Sequence, residues 1–404
     1  MEILVTGTGM ITAIGNNVAE HLNAILSQKQ VLGPPEILLT RRKEDMVVAE
    51  IKQTNEMLAA ACGIAPAGNS RTTLLGLHAL AEALDSIPEI RRRERRIVFI
   101  NATTVGGMSD VEQLYTEMIS DATTGHFLEY VDALDCADCT QRMASHFGLK
   151  GFQTTISTAC SSSANAIQLG ARMIKAGAAD IAICGGTDAL TRFTLNGFNA
   201  LKNVDKSPMR PFDQQRNGLN LGEGAAYLVL ESETSAIARG AKSIAKLAGF
   251  GNTNEAHHPT APSPDGAGAY RTMQLALRTA GINPEDIGYI NAHGTGTLGN
   301  DLSEGTAIQL LFGKENHPHF GSTKQYTGHT LAASGAVEAI ICCLALQHQF
   351  VPPNLQFEQK MEELDIQPQT ALLQQVPLRY VLSNSFGFGG NNVSLILQAA
   401  DKAN

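Results

Sequence analysis

Basic residues are in deficit in this chain: 30 Lys and Arg face 39 Asp and Glu over 404 residues, a formal net charge of −9. That balance gives neither nucleic acid nor an anionic membrane an electrostatic hold as a main partner. The first residues, Met1-Glu2-Ile3-Leu4-Val5-Thr6-Gly7, lack the basic region of a secretion signal and are expected to form a strand of the fold itself. No apolar run is expected to approach the ~18 residues of a membrane span, so the expected location is cytoplasmic. Cysteine is scarce and odd in number, seven in all, which points to reduced thiols and away from a disulfide framework. Cys136-x-x-Cys139 has neither a second such pair nor a nearby His pair to complete a metal site. Gly7-Thr8-Gly9-Met10-Ile11-Thr12 lacks the third glycine of a dinucleotide-binding loop, because Thr12 stands where it would be; the stretch reads as a tight strand-to-helix turn.

What is present is a folded globular composition, 43% hydrophobic and 17% charged, long enough for two domains or one duplicated unit. Apolar strand patterns at Ile97–Ile100, Ile181–Cys184 and Tyr227–Leu230 are separated by helical ones, an α/β order. The charge run Arg91–Arg96 before the first of these reads as a solvated edge, or as an attraction for an acidic carrier protein. After Lys242 the pattern begins again, which suggests two similar halves, 1–241 and 242–404.

One stretch organises the rest: Thr158-Ala159-Cys160-Ser161-Ser162-Ser163-Ala164. It follows a short β-type run and opens a helical pattern through Ile167, Ala171 and Ile174, which puts the Cys160 sulfur at a helix N-terminus. Unpaired N–H groups and the positive end of the helix dipole favour thiolate there, and a thiolate is a nucleophile. A lone Cys is more often a small core residue, so other residues must support the reactive reading. Two histidines do. A short strand delivers His293 into Gly294-Thr295-Gly296-Thr297, and the polar turn Ser322-Thr323-Lys324-Gln325-Tyr326-Thr327-Gly328-His329 leads into small residues and an apolar helix, as around Cys160. If the halves are related by a pseudo-twofold axis, Cys160 and His329 open equivalent helices and both face the centre. Near the end, Asn384-Ser385-Phe386-Gly387-Phe388-Gly389-Gly390-Asn391-Asn392 joins two strands through a glycine-rich loop expected to be mobile.

These four segments resemble, in order and nearly end to end, the signatures of the β-ketoacyl-[acyl-carrier-protein] synthases of the thiolase superfamily, and the Cys-His-His set with Lys is similar to their elongating class. The resemblance implies a five-layer αβαβα thiolase-like fold. It implies decarboxylating Claisen condensation of an acyl thioester held on Cys160 with a malonyl thioester, serving fatty acid or related polyene or polyketide synthesis. His293 and His329 would stabilise the enolate as neutral donors. The N–H groups of Cys160 and Phe388 would form the oxyanion hole, with Phe388 also gating the acyl pocket. Lys324 would act electrostatically, paired with Glu304, while Thr295 and Thr297 would bind the phosphopantetheine arm that arrives on the carrier. Val105 and Met108 would line the far end of the acyl pocket, and Arg71 and Arg210 would dock the acyl carrier protein. Asn291, Glu338, Ser383 and Asn384 match positions that in some relatives hold a monovalent cation; no cofactor is otherwise required. A homodimer is implied, with a heterodimer of related subunits as the variant.

The chain departs from the family around Ser70-Arg71, where few basic residues stand, and at Asn391, which replaces the usual Thr. Both departures suit a specialised carrier. Two other functions share the fold: a non-catalytic chain-length partner subunit, which typically lacks the Cys, and a coenzyme A-dependent thiolase, which Lys324 with two histidines disfavours.

Overall fold

In a computed structural model, residues 1–88, 95–120 and 123–401 are described. Most of the basic run beginning at Arg91 lies outside them. Ten strands join in one mixed sheet: β1 (Ile3–Thr12), β2 (Ile97–Ala102), β3 (Gln153–Ile156), β4 (Ile181–Asp188), β5 (Gly224–Ser232), β6 (Ala245–Asn254), β7 (Ile287–Asn291), β8 (His319–Gly321), β11 (Tyr380–Phe386) and β12 (Asn391–Ala399), while β9 (Phe350–Val351) and β10 (Leu373–Gln374) pair separately. The sheet order β3-β2-β4-β5-β1-β6-β12-β11-β7-β8 is one five-strand pattern used twice. Within each set the two outer pairings are parallel and the two inner ones antiparallel. The sets meet along β1 and β6, where Leu4 lies opposite Lys246 and Val5 opposite Ala245.

Strand β5 shows why both sheet faces must be covered. Ala225, Tyr227 and Val229 sit in one apolar cluster with helices Arg71–Leu84 and Cys136–His146, while Ala226, Leu228 and Leu230 sit in another with helices Ser162–Lys175 and Ser334–His348. This period of two buries alternate side chains on opposite faces. The second cluster also holds Val393, Leu395 and Leu397 of β12, so the two helices are sandwiched between the halves. On the outer face of the second half lie helices Ala267–Ala280 and Leu298–Phe312. The result is five layers, αβαβα.

The sandwich explains two departures from the sequence expectations. Leu331–His348 is long and apolar enough to cross a membrane, but it is almost wholly buried in the core; a helix between two sheets is apolar all round. Gly7 and Gly9 lie within β1 instead of forming a turn. A Cβ on Gly9 would stand 2.2 Å from the Ala79 carbonyl of the covering helix, and in the second half one on Gly251 of β6 would stand 2.3 Å from the Thr272 carbonyl. Glycine at both places lets helix and strand approach closely.

Candidate active site

Each half sends an elbow from a parallel strand into a central helix. After β3, residues 157–161 turn into helix Ser162–Lys175; after β8, the longer segment 322–333 turns into helix Ser334–His348. Three residues before each helix stands a non-glycine residue in the left-handed region, Ala159 at φ 52° and Leu331 at φ 50°. Such backbone costs of order 1–3 kcal/mol and persists only where its surroundings enforce it. In the first elbow the Ser162 hydroxyl accepts from Thr158 N–H at 2.8 Å and Ser162 N–H donates to the Ala159 carbonyl at 3.1 Å. Cys160 follows Ala159 and is buried. By this alignment its counterpart is Ala332, so Cys160 and His329 share equivalent elbows but not equivalent positions.

His329 is held from the other half: its N–H donates to the Asn220 carbonyl at 2.8 Å, and Gly222 N–H donates to its carbonyl at 3.0 Å. Its Nδ1 accepts from Leu331 N–H at 3.2 Å and lies 2.8 Å from the Ser334 hydroxyl. A backbone donor at Nδ1 places the ring proton on Nε2, which has no partner and is buried. His293 reaches the same tautomer by another route, because the Lys324 ammonium stands 3.2 Å from its Nδ1. The rings meet edge to face with centroids 5.5 Å apart. Burial, and next the Lys324 charge, hold both imidazoles well below the ordinary histidine pKa, hence neutral.

The Cys160 sulfur and one nitrogen of each ring lie within 4.8 Å of one another. Cys-His-His is a zinc-like ligand set, but here both Nδ1 atoms face donors, so each Nε2 bears the proton a metal would have to displace. The set instead groups one thiol with two neutral imidazoles, each protonated on Nε2, in one buried cluster.

Cys160 corrects the expectation of a resting thiolate. Burial pushes its thiol up to about 11, outweighing Lys324 and the N–H groups of Phe388 and of Cys160 itself, which are directed at Sγ. The ion pair of Lys324 is also corrected: its ammonium binds Glu338, not Glu304. Glu304 instead accepts from the N–H groups of His293 at 2.8 Å and Gly294 at 2.9 Å, and from Asn384 Nδ2 at 2.9 Å. It therefore shapes the turn that carries His293.

The Phe388 ring stacks on Phe198 of helix Arg192–Ala200, centroids 5.4 Å apart. Both line a cavity of about 130 Å³ with Cys160, His293, His329, Thr295, Thr297 and Leu219. The Thr295 and Thr297 hydroxyls are 2.8 Å apart on its wall. Phe198 and Leu219 belong also to an apolar cluster with Leu190, Leu195, Val105 and Met108, so the wall of the Cys160 cavity is continuous with apolar packing. Sequence reasoning missed Phe198, since nothing local marks one aromatic on an amphipathic helix.

Arg71 is not at the surface. It is 6% exposed, with Nε 2.8 Å and Nη2 2.6 Å from the Glu223 carboxylate and further bonds to the carbonyls of Ile51 and Gln53. It is a buried tie between loops and is unavailable to a docking partner. Arg210 is half-buried and pairs with Glu358 at 3.2 Å, and its backbone N borders Gly296, between the two cleft threonines. Of the cation positions, Asn291 and Ser383 are partners across β7 and β11. Among the described residues Glu338 Oε2 is buried without a partner and Ser383 Oγ faces only the Cys342 thiol, which fits the oxygen ligands of an alkali ion. The Asn384 side chain does not fit, because Nδ2 goes to Glu304 and Oδ1 accepts from Ser394.

The β-ketoacyl synthase N-terminal domain family matches residues 1–236, and the C-terminal domain family matches 244–358. The chain belongs to the β-ketoacyl synthase family. It is 32% identical to 3-oxoacyl-[acyl-carrier-protein] synthase 2 of Synechocystis sp., over 98% of this chain and 97% of the relative. The fold matches the ishigamide ketosynthase/chain length factor with TM-score 0.90 and 31% identity, each chain 99% covered. It also matches a ketosynthase solved with its chain length factor from Xenorhabdus doucetiae, with TM-score 0.83 and 32% identity over 99% of this chain and 98% of that one. The synthase is thus thiolase-like in fold and an acyltransferase in class.

Proposed function

We propose that this synthase condenses an acyl group held on Cys160 with malonyl-[acyl-carrier protein], losing CO₂ and releasing β-ketoacyl-[acyl-carrier protein]. The observation that carries the proposal is the grouping of one thiol, two backbone N–H groups and two neutral imidazoles in a cavity whose wall includes Phe198 and Leu219.

In the first step Cys160 Sγ attacks the acyl thioester on the carrier, and the carrier thiol departs with the proton that Cys160 gives up. The tetrahedral oxyanion is stabilised by the N–H groups of Cys160 and Phe388, in place before the reaction begins. The acyl chain then lies along Phe198 and Leu219 toward Val105 and Met108. In the second step the malonyl carboxylate leaves as CO₂. The enolate oxygen that develops is stabilised by the two Nε2–H groups, and the neutrality of both rings keeps the carboxylate from being held as an ion pair. The enolate carbon attacks the acyl carbon, the C–S bond breaks, and the departing Cys160 thiolate takes up one proton from solvent, the proton that the overall reaction consumes. Lys324 fixes the His293 tautomer, and Glu304 fixes its turn. Thr295 and Thr297 would bind the pantetheine arm, and Arg210 remains a contact for the carrier. Asn291, Glu338, Ser383 and Asn384 are the positions that would hold a monovalent cation beside the Glu338 carboxylate, with the Asn384 side chain already engaged by Glu304 and Ser394; the reaction needs no other cofactor.

The reading includes cytoplasmic work and a second subunit, of the same chain or a related one. Strand β3 ends the sheet half-exposed, beside Phe152 at 53% exposure, and an unpaired edge of this kind invites a partner. The thiol at Cys160 supports the catalytic reading over the non-catalytic subunit, and the Asn391 departure favours a polyene or polyketide line over housekeeping synthesis. The test is incubation with acyl carriers of graded chain length followed by intact-mass analysis. One acyl adduct on Cys160, discharged by malonyl carrier, is expected; no adduct with any carrier overturns the proposal.

A further inference from the structure

The Phe388 N–H lies in a glycine-rich loop that is tied beyond Phe388. There Gly389 N–H donates to the Pro259 carbonyl at 2.8 Å, Asn254 Nδ2 donates to the Gly389 carbonyl at 3.1 Å and Glu255 N–H donates to the Gly390 carbonyl at 3.1 Å. Gly387, Gly389 and Gly390 flank it, Gly389 is exposed, and no atom lies within 4 Å of where its Cβ would be. Yet an oxyanion donor is effective only when fixed within a few tenths of an ångström before the charge arrives. The tie on the side of the nucleophile is Asn391. The Asn391 carbonyl accepts from Gly387 N–H at 2.9 Å, closing the loop on itself. Its side-chain Oδ1 reaches to the opposite half, where it accepts from Asn165 Nδ2 at 2.7 Å and from Ser161 Oγ at 3.0 Å, and within its own half it lies 3.2 Å from Asn252 Nδ2 on β6. Ser161 is the residue after the nucleophile and Asn165 lies one turn on, so a single carboxamide ties the donor loop to the elbow that carries Cys160.

The three donors exceed the two lone pairs of one amide oxygen. Ser161 has an alternative, since its Oγ also lies 2.8 Å from the Thr158 carbonyl and it has one proton to give. Asn165 is secured from behind: its Nδ2 also reaches Thr158 Oγ1 at 2.9 Å and its Oδ1 accepts from Asn252 Nδ2 at 3.0 Å. The loop is pressed close at this point, because a Cβ on Gly387 would stand 2.8 Å from the Thr158 carbonyl and 3.0 Å from Ser161 Oγ.

We infer that Asn391 is a positioning residue for condensation: its side chain holds the Phe388 N–H on the Cys160 sulfur and so keeps the oxyanion hole assembled. The inference rests on the proposed reaction but concerns only one of its two donor sets. The enolate donors, His293 and His329, are held by Lys324, Leu331 and Ser334 and have no bond to Asn391.

The experiment compares the wild-type enzyme with Asn391→Leu, which keeps the volume but removes the acceptor, and with Asn391→Asp, which keeps an acceptor oxygen in place. Acyl transfer to Cys160 and malonyl-carrier decarboxylation are measured separately on each. The Leu variant is expected to lose about tenfold or more in kcat for acyl transfer, with KM for the acyl carrier within about twofold and a much smaller loss in decarboxylation. Its Cys160 alkylation profile should move to higher pH, because a thiolate that loses the Phe388 N–H is less favoured. The Asp variant should recover most of the acyl-transfer rate. Equal losses in both half-reactions, or no recovery in Asp, would make Asn391 merely structural and overturn the inference. A wild-type enzyme with neither half-reaction would instead overturn the proposed function.

Discussion

The two halves of the synthase share strand order, central helix and strained elbow, yet only one holds a nucleophile and the other holds both histidines. The difference lies in what each elbow spans. The first passes from β3 to its helix through residues 157–161 and has room for Cys160 alone; the second passes from β8 through 322–333 and carries Lys324 and His329 in the added length. His293 comes from the end of β7, whose counterpart β2 leads in the first half to Thr103, Thr104 and Val105. There the buried Asp188 gathers the hydroxyls of Thr103 and Thr104 and the N–H groups of Val105 and Ala332. A duplicated frame thus came to hold an acyl chain on one side and generate a carbanion on the other.

If the halves divide the chemistry in this way, separate substitutions should separate the steps. Cys160→Ala should reduce condensation and acyl adducts below detection while malonyl-carrier decarboxylation continues. His293→Ala or His329→Ala should cut decarboxylation by about 10²–10³ and leave acylation of Cys160 in place. Paired intact-mass and CO₂-release assays check both, and loss of the two steps together in either variant breaks the division.

Lys324→Met probes the second half alone. The ammonium lowers the pKa of both histidines, so removing it raises them. A ring with a raised pKa is protonated at higher pH, and an imidazolium holds the malonyl carboxylate instead of releasing it. The acidic limb of the decarboxylation profile should therefore move to higher pH; an unmoved limb would remove the electrostatic role. The smallest effect belongs to the gate. Phe198→Ala removes a ring stack worth about 0.5–1.5 kcal/mol, so alkylation of Cys160 by a bulky reagent should quicken several-fold. In wild type that rate should climb about tenfold per pH unit up to a pKa of about 11.

The duplication was legible in the sequence only as a restart of pattern near Lys242, although Gly7-Thr8-Gly9 and Gly249-Phe250-Gly251 are matching marks of the same helix-on-strand contact. The polar turns before small residues marked both elbows, because side chains at such turns face clefts. Arg71 misled because a basic residue at a helix start looks the same in sequence whether it faces solvent or a carboxylate 152 positions away. Glu304 and Glu338 could not be told apart either: each lies on a helix near a catalytic turn, and only the packing shows which one meets Lys324. The thiol of Cys160 escaped for a related reason, since a helix start is visible in sequence but the depth of burial that outweighs it is not.

The β1–β6 junction makes the catalytic site depend on both halves of the chain. A chain arrested before β6 would display a thiol on an unsupported elbow, with no imidazole to generate a carbanion and no Asn391 to aim a donor. Such a fragment could not consume malonyl groups, and its sulfur would lack the oxyanion hole that makes acyl transfer fast. The complete site forms only with the last strand, β12, paired beside β6.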